Sequence, residues 1–300
     1  MALNEISNAA QRCTSFLSNT RNIRHLDLDG RYKLTTTYQP DIPAKYVERL
    51  FDLNEKVAIV TGGASGLGEA IALGFSQAGA HVVIADVDAV RTNALLEAVS
   101  HYRFPPTFIE CDVTDKSSVD HLTHEALLAF GQIDILVNSA GMAFRSVAED
   151  FPEEMYDRVI DLNLKGTFIP CQVVGKSMLK ARSGSIINLA SIGASRAYPE
   201  ATAYLQSKGG VAQMTRSLAL EWVDRNVRVN ALAPSIFDTP LIRAADKVRT
   251  RTSDFIMERT PIGRRGLTKE IVGPAIFLAS DAASMVTGHI LQVDGGYLVA

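Results

Sequence analysis

From Lys56 onward, short runs rich in β-branched residues alternate with helix-length amphipathic segments. The runs are Val57 to Thr61, Val82 to Ala85, Phe108 to Cys111, Ile133 to Val137, Ser185 to Leu189, Val227 to Leu232 and Ile290 to Val293. Strand-length runs separated by helical periods predict seven strands joined by helices. The first three runs are nearly continuous in apolar residues, the pattern of strands buried on both faces of a parallel sheet. Right-handed crossovers leave few topologies for such a chain, and the natural one is an α/β, doubly wound, parallel seven-stranded sheet in a single domain. Neither an internal repeat nor a low-complexity tract interrupts the alternation.

The first fifty residues do not share it. They are polar, lack a sustained period and lead into Gln39-Pro40-Asp41-Ile42-Pro43, a proline pair that reads as a linker. Residues 1–50 are therefore expected to form an extension with a linker, and residues 51–300 the folded domain. Through Asn22 the only acid is Glu5, set against Arg12 and Arg21. A transit peptide is the lesser alternative to a loosely ordered extension. Tyr46, Val47, Leu50 and Phe51 recur with helical spacing, which predicts a short helix docked on the domain or on a neighbouring subunit.

Composition narrows the function classes. The 300 residues are 47% hydrophobic with a formal net charge of −3, as expected of a globular chain that binds neither nucleic acid nor membrane. No apolar run approaches the roughly 18 residues of a membrane span, and no secretory signal opens the chain, so a cytoplasmic location is expected. Three cysteines, Cys13, Cys111 and Cys171, have no metal-like spacing. They read as free thiols, with no bound metal.

Candidate chemistry begins at the first predicted turn. Thr61-Gly62-Gly63-Ala64-Ser65-Gly66-Leu67-Gly68 follows a strand and opens a helix, where Gly62, Gly66 and Gly68 permit a tight turn, close approach to a pyrophosphate and tight helix packing. Backbone at Ser65 and Leu67, at the helix N-terminus, would face the phosphates. Asp86, ending the second strand, is placed to accept hydrogen bonds from an adenosine ribose and to repel a 2′-phosphate. Ser65 and Val87 offer no cation for that phosphate, and Arg91 reads as solvated, so NAD is expected over NADP. Asp112 and Val113 after the third strand are candidates to meet the adenine. Asn138, Ala140 and Gly141 in Asn138-Ser139-Ala140-Gly141 are candidates to line the cofactor.

Tyr204 and Lys208 stand four residues apart in a predicted helix and so share one face. A tyrosine titrates near ~10, and a nearby ammonium would favour its phenolate, as a base requires.

With these motifs in order, residues 51–300 resemble the classical short-chain dehydrogenase/reductase family, a Rossmann-type fold. Thr61 to Gly68 is similar to its cofactor loop, Asn138 to Gly141 to its Asn-Asn-Ala-Gly motif, and Asn163, Ser191, Tyr204 and Lys208 to its catalytic tetrad. The resemblance implies that Tyr204 is the acid/base, that Lys208 lowers its pKa and binds the nicotinamide ribose, that Ser191 holds the substrate oxygen, and that Asn163 anchors a water-linked relay. It also implies cofactor contacts from Pro234, Ile236 and Thr239, and a homotetramer. Ser139 and Ser235 depart from the family pattern. Serine at 235 resists the positive φ that the usual glycine tolerates, which would alter the turn under the nicotinamide.

The implied reaction interconverts a secondary alcohol and a ketone. The lead-in Leu50 to Val57 and the ending Gly295-Gly296-Tyr297-Leu298 look like members acting on sugars, polyols and aldonates, such as gluconate 5-dehydrogenases. A 3-oxoacyl thioester reductase is the alternative, and a non-catalytic nucleotide sensor a further one. The segment from Ser235 to Gly266 is basic: Arg243, Lys247, Arg249, Arg251, Arg259, Arg264 and Arg265 outnumber Asp238, Asp246, Asp254 and Glu258. These cations read as the solvated face of a lid. Arg145 and Arg196 leave strand ends and are the better candidates to hold a substrate carboxylate, beside Ser191 and Tyr204.

Overall fold

The computed structural model describes Ile42, residues 45–245 and residues 251–300. The chain divides into two units, residues 1–46 and 47–300. The extension before Asp41, together with Asp246, Lys247 and Arg249 of the basic segment, lies outside the described residues.

Seven strands form one sheet in the order β3-β2-β1-β4-β5-β6-β7. They are β1 (Val57–Thr61), β2 (His81–Asp86), β3 (Thr107–Glu110), β4 (Ile135–Asn138), β5 (Gly184–Leu189), β6 (Val227–Pro234) and β7 (Ile290–Val293). Every pairing is parallel, so the expected doubly wound sheet is present. The order reverses between β1 and β4, so the chain leaves these two strands toward opposite sides of the sheet and a crevice forms beyond their ends.

The helices are α1 (Tyr46–Leu50), α2 (Gly66–Gln77), α3 (Ala89–Ala98), α4 (Lys116–Phe130), α5 (Glu153–Ile160), α6 (Gly166–Ala181), α7 (Thr202–Trp222), α8 (Pro240–Ala245), α9 (Arg251–Met257) and α10 (Val272–Ala279). Alternation along each strand divides the core between the two faces of the sheet. Ile59, Val83, Leu136, Ile186 and Val229 pack with Leu122, Val174, Met178 and Trp222. Ala58, Val60, Ile84, Val137 and Ile187 pack with Ile71, Phe75, Ala275 and Leu278 on the other side. Each large side chain so buried contributes roughly 1.5–3 kcal/mol, which is what fixes the register of the strands beneath the site.

Three expectations are corrected here. β3 is a sheet edge, so Thr107 and Glu110 are exposed and Phe108 and Ile109 only half-buried, unlike the fully buried β1. α1 forms, but Val47 and Phe51 stay 68% and 47% exposed, so of the two expected docking places the core of the same domain does not cover them. Ser235 adopts no positive φ, so the strain anticipated there does not arise.

Helix α2 leaves its strand with no room to spare. A Cβ on Gly68 would lie 2.2 Å from the Gly62 carbonyl oxygen, whereas one on Gly209, inside α7, would meet nothing within 4 Å. Gly68→Ala should therefore destabilise the fold by ~1–3 kcal/mol, and Gly209→Ala should stabilise it by up to ~1 kcal/mol, as read from urea midpoints. Equal midpoints for the two variants would contradict this packing.

Candidate active site

Loops after β1 to β6 surround a cavity of about 310 Å³. One part is lined by Gly62, Ser65, Gly66, Leu67, Asp86 and Val87, and another by Gly141, Tyr204, Lys208, Pro234 and Thr239. Gly62 has φ +62°, and a Cβ there would lie 2.7 Å from the Ala140 backbone, so only glycine lets the first and fourth loops meet. The Thr61 hydroxyl accepts the Ser139 and Ala140 N–H groups at 3.2 and 3.3 Å and fixes that meeting. Asp86 accepts the Ala64 N–H at 3.0 Å and the Asp88 N–H at 3.1 Å, which holds its carboxylate at the cavity wall.

Helix α7 carries Tyr204 and Lys208 to the cavity on one face, as their spacing predicts. Lys208 is 6% exposed, and its Nζ donates to the Leu189 carbonyl at 2.6 Å and lies 5.8 Å from the Tyr204 ring centroid. Burial lowers the Lys208 pKa to about 8. Burial pushes the Tyr204 phenol above its ordinary value, while a hydrogen bond with Ser191 and the Arg145 charge pull the other way. The guanidinium of Arg145 lies 5.3 Å from the Tyr204 ring centroid and 5.6 Å from that of Tyr198. One of its terminal nitrogens is buried without a hydrogen-bond partner.

Ser191 ends the turn after β5, where its hydroxyl accepts the Gly193 N–H at 3.1 Å. Asn163 lies in a π-helical turn, Asp161–Lys165, between α5 and α6. Its amide accepts from Met142 N at 2.8 Å and donates to Met142 O at 2.9 Å and Ser207 Oγ at 3.0 Å. This wide turn ties the loop after β4 to α7. The arrangement can exchange a proton between the phenol and a bound hydroxyl or carbonyl oxygen, with two cations beside the ring to stabilise negative charge.

The family model described as enoyl-(acyl carrier protein) reductase matches residues 62–298. The D-threitol dehydrogenase of Mycolicibacterium smegmatis is 42% identical over 250 residues, which cover 83% of this chain and 95% of that protein. The NAD-dependent glycerol dehydrogenase of Listeria innocua is 37% identical over 256 residues, covering 85% and 98%. Among solved structures, a gluconate 5-dehydrogenase from Burkholderia cenocepacia in complex with NADP and tartrate matches with a TM-score of 0.80 at 34% identity, over 85% of this chain and 99% of that one. The chain belongs to the short-chain dehydrogenase/reductase family.

This dehydrogenase/reductase acts on CH–OH groups and uses a pyridine nucleotide. The residues fit such a cofactor. Ser65 makes no side-chain cap on α2, which leaves first-turn N–H groups available to a phosphate, and Asp86, Asp112 and Val113 line the wall where an adenosine would lie.

Several predicted residues stand elsewhere in the dehydrogenase/reductase. Asn138 turns into the core, donating to Asn188 Oδ1 at 2.9 Å and Cys171 Sγ at 3.2 Å, and does not line the cavity. The Cys171 thiol, fully buried there, is pushed up to about 12. Gly68 does not line the cavity but packs against the Gly62 backbone, the tight helix packing expected of this loop, and Ile236 joins Ile192, Tyr198, Ile256 and Tyr297 in a separate apolar cluster. Arg196 donates from one terminal nitrogen to Tyr297 O at 3.0 Å and Ala300 O at 2.6 Å, and so fastens the C-terminal residues. Of the basic segment, Arg243 and Arg264 are bound to Asp238 and Glu270, and Arg259 stacks on Phe255 at 3.8 Å. Arg91 is not freely solvated: its Nε donates to Ala64 O at 2.7 Å.

Sequence reasoning missed Thr61, Tyr198 and Glu200. Glu200 holds φ at +60°, accepts Ser146 N–H at its carbonyl at 3.2 Å and accepts Arg251 N–H at its carboxylate at 3.0 Å. It thereby fastens α9 beside the start of α7. No motif signals it, although a non-glycine residue at positive φ commonly marks a functional region.

The placement of Arg196 has a kinetic consequence. Arg196→Ala should change KM for charged and uncharged substrates by the same factor, within about threefold, because the lost contacts are to the chain itself. A selective loss of carboxylate substrates would return Arg196 to the binding site.

Proposed function

We propose that the enzyme interconverts a polyol or aldonate with its ketone, with Tyr204 as general acid/base and NAD preferred over NADP. The observation that carries this reading is that Tyr204 and Lys208 line one part of a cavity whose wall also contains Asp86, with the Ser191 hydroxyl hydrogen-bonded to the Tyr204 phenol. In oxidation, the phenolate takes the hydroxyl proton of the substrate. Ser191 donates to the substrate oxygen, and that bond strengthens as negative charge develops. Lys208 and Arg145 favour the ionised phenol. Bound NAD supplies the hydride acceptor. In reduction the phenol returns its proton to the developing alkoxide. Asn163 acts by holding Met142 and Ser207, so that the fourth loop keeps its distance from α7.

The threitol, glycerol and gluconate dehydrogenases named above support the substrate class. Arg145 supports an anionic member of it, because a buried guanidinium nitrogen without a partner is a ready site for a carboxylate oxygen. Asp86 supports NAD, since its carboxylate can pair with ribose hydroxyls. A homotetramer is also proposed. Phe168, Leu220, Met285 and Val299 remain 41% to 97% exposed, apolar surface that association would cover, and light scattering on the full chain is the measurement.

Tyr204→Phe should lose ~10²- to 10⁴-fold in turnover with NADH affinity unchanged, and a variant within about fivefold of the parent would refute the assignment. Because burial holds the phenol above its ordinary value, the protonated form dominates near neutrality. From about pH 6 to about 8, kcat/KM for alcohol oxidation should therefore climb, approaching about tenfold per unit, while ketone reduction stays nearly flat. Oxidation independent of pH over that interval would exclude the phenol as the titrating base.

Arg145→Ala should raise KM for an aldonate over that for a neutral polyol of equal length by ~1.5 to 3 kcal/mol, the worth of a charged hydrogen bond. Equal effects on the two substrates would leave the polyol reading and reject the aldonate.

A further inference from the structure

Tyr198 stands between the turn after β5 and the start of α7, and it is 7% exposed. It does not line the cavity. Its ring packs with Ile192, Ala201, Ile236, Ile256 and Tyr297, and Tyr204 packs against the same cluster. Its hydroxyl lies over Gly193, where a Cβ would come within 3.0 Å of that oxygen. Gly193 is the residue whose N–H donates to Ser191 Oγ at 3.1 Å. A second phenol is thus held against the turn that carries the serine.

Burial pushes the Tyr198 phenol above its ordinary value, and the neighbouring Tyr204 adds to the rise. The phenol therefore keeps its proton at neutral pH and has to donate it. The hydrogen-bonding groups that face it are Ser191 and Arg145. A guanidinium has donors only, so the serine oxygen is the acceptor. A serine hydroxyl has one proton and two acceptor positions. At Ser191 the Gly193 N–H fills one of these positions and the Tyr198 O–H fills the other. What remains is the serine proton itself, and the partner left for it is the Tyr204 phenol, to which Ser191 is also hydrogen-bonded.

We propose that Tyr198 is a positioning residue that locks Ser191 as a donor, by occupying the acceptor position that the Gly193 N–H leaves open. The serine then cannot accept the Tyr204 proton, which stays available to the substrate oxygen. Its own proton is aimed at that same oxygen. The inference rests on the reading of Ser191 and Tyr204 as the groups that meet the substrate.

Tyr198→Phe tests it, because the ring and its packing remain and only the hydroxyl is lost. Hydride transfer is followed in the full chain with threitol and with threonate, a neutral polyol and an aldonate of equal length. NAD is held below the enzyme concentration, so that a single turnover is read even in slow variants. Tyr198→Phe should slow transfer roughly 3- to 10-fold, the worth of one hydrogen bond, with half-saturation by both substrates and the Kd for NADH within about twofold of the parent. Ser191→Ala has no hydroxyl to orient, so adding Tyr198→Phe to it should change the rate by less than about twofold. Equal losses in the two backgrounds would show a merely structural role and overturn the proposal, as would a parent-like rate in Tyr198→Phe. A weakening confined to threonate would also overturn it, because Tyr198 would then serve Arg145. Parent-like transfer by Ser191→Ala would instead overturn the reading of the serine, and the proposal with it.

Discussion

When every strand of a sheet runs the same way, every loop that follows a strand emerges along one edge. All six pairings here are parallel, and the consequence is concentration of chemistry. Gly62 follows β1, Asp86 ends β2, Asp112 follows β3, Ala140 follows β4, Ala190 follows β5 and Pro234 ends β6, and all of them line one cavity. Residues 172 positions apart in the chain, from Gly62 to Pro234, become neighbours without any element having to bend toward another. The reversal of strand order between β1 and β4 opens the space, and the two packed faces of the sheet make its walls stiff.

Stiffness is what lets charge be buried there. Removing an ammonium from water disfavours the charged form, and Lys208 answers with one carbonyl bond and a titration lowered to about 8. The Tyr204 phenol is driven the opposite way by the same burial, with Ser191 and Arg145 partly restoring the ionised form. The family pattern assigns the tuning of the tyrosine to the lysine alone. In this chain Arg145 is as near to the ring as Lys208, at 5.3 against 5.8 Å, so two cations stand beside the phenol.

A second set of contacts packs the residues around the turn after β5. Glu200, at positive φ, fastens the start of α9 through its carboxylate, and the Pro199 carbonyl accepts Thr252 Oγ1 at 2.9 Å. Arg196 fastens the last residues, and Tyr297, fully buried, packs with Ile192, Tyr198, Ile236 and Ile256. The turn after Ser191, the helix over it and the C-terminal residues are thus one packed unit. Displacing any of them would move the serine hydroxyl relative to the phenol.

Local sequence determined whatever depends on period and spacing. The alternation of apolar runs gave all seven strands to within one or two residues at every end, because central strands such as β1 and β4 are buried on both faces and the edge strands keep a shorter apolar run. The glycine loop and the Tyr204–Lys208 pair were legible for the same reason: their geometry is set by neighbours in the chain. Tertiary structure decided the directions of long and polar side chains. Arg145 and Arg196 both leave strand ends and read alike, yet one lies against the phenols and the other binds the C-terminal carbonyls. Asn138 sits in a cofactor motif but satisfies Asn188 of the adjacent strand, and Arg91 folds back 27 residues to Ala64. A buried polar group goes to whichever partner the packing brings within about 3 Å, and that partner is remote in sequence, so no local pattern could name it.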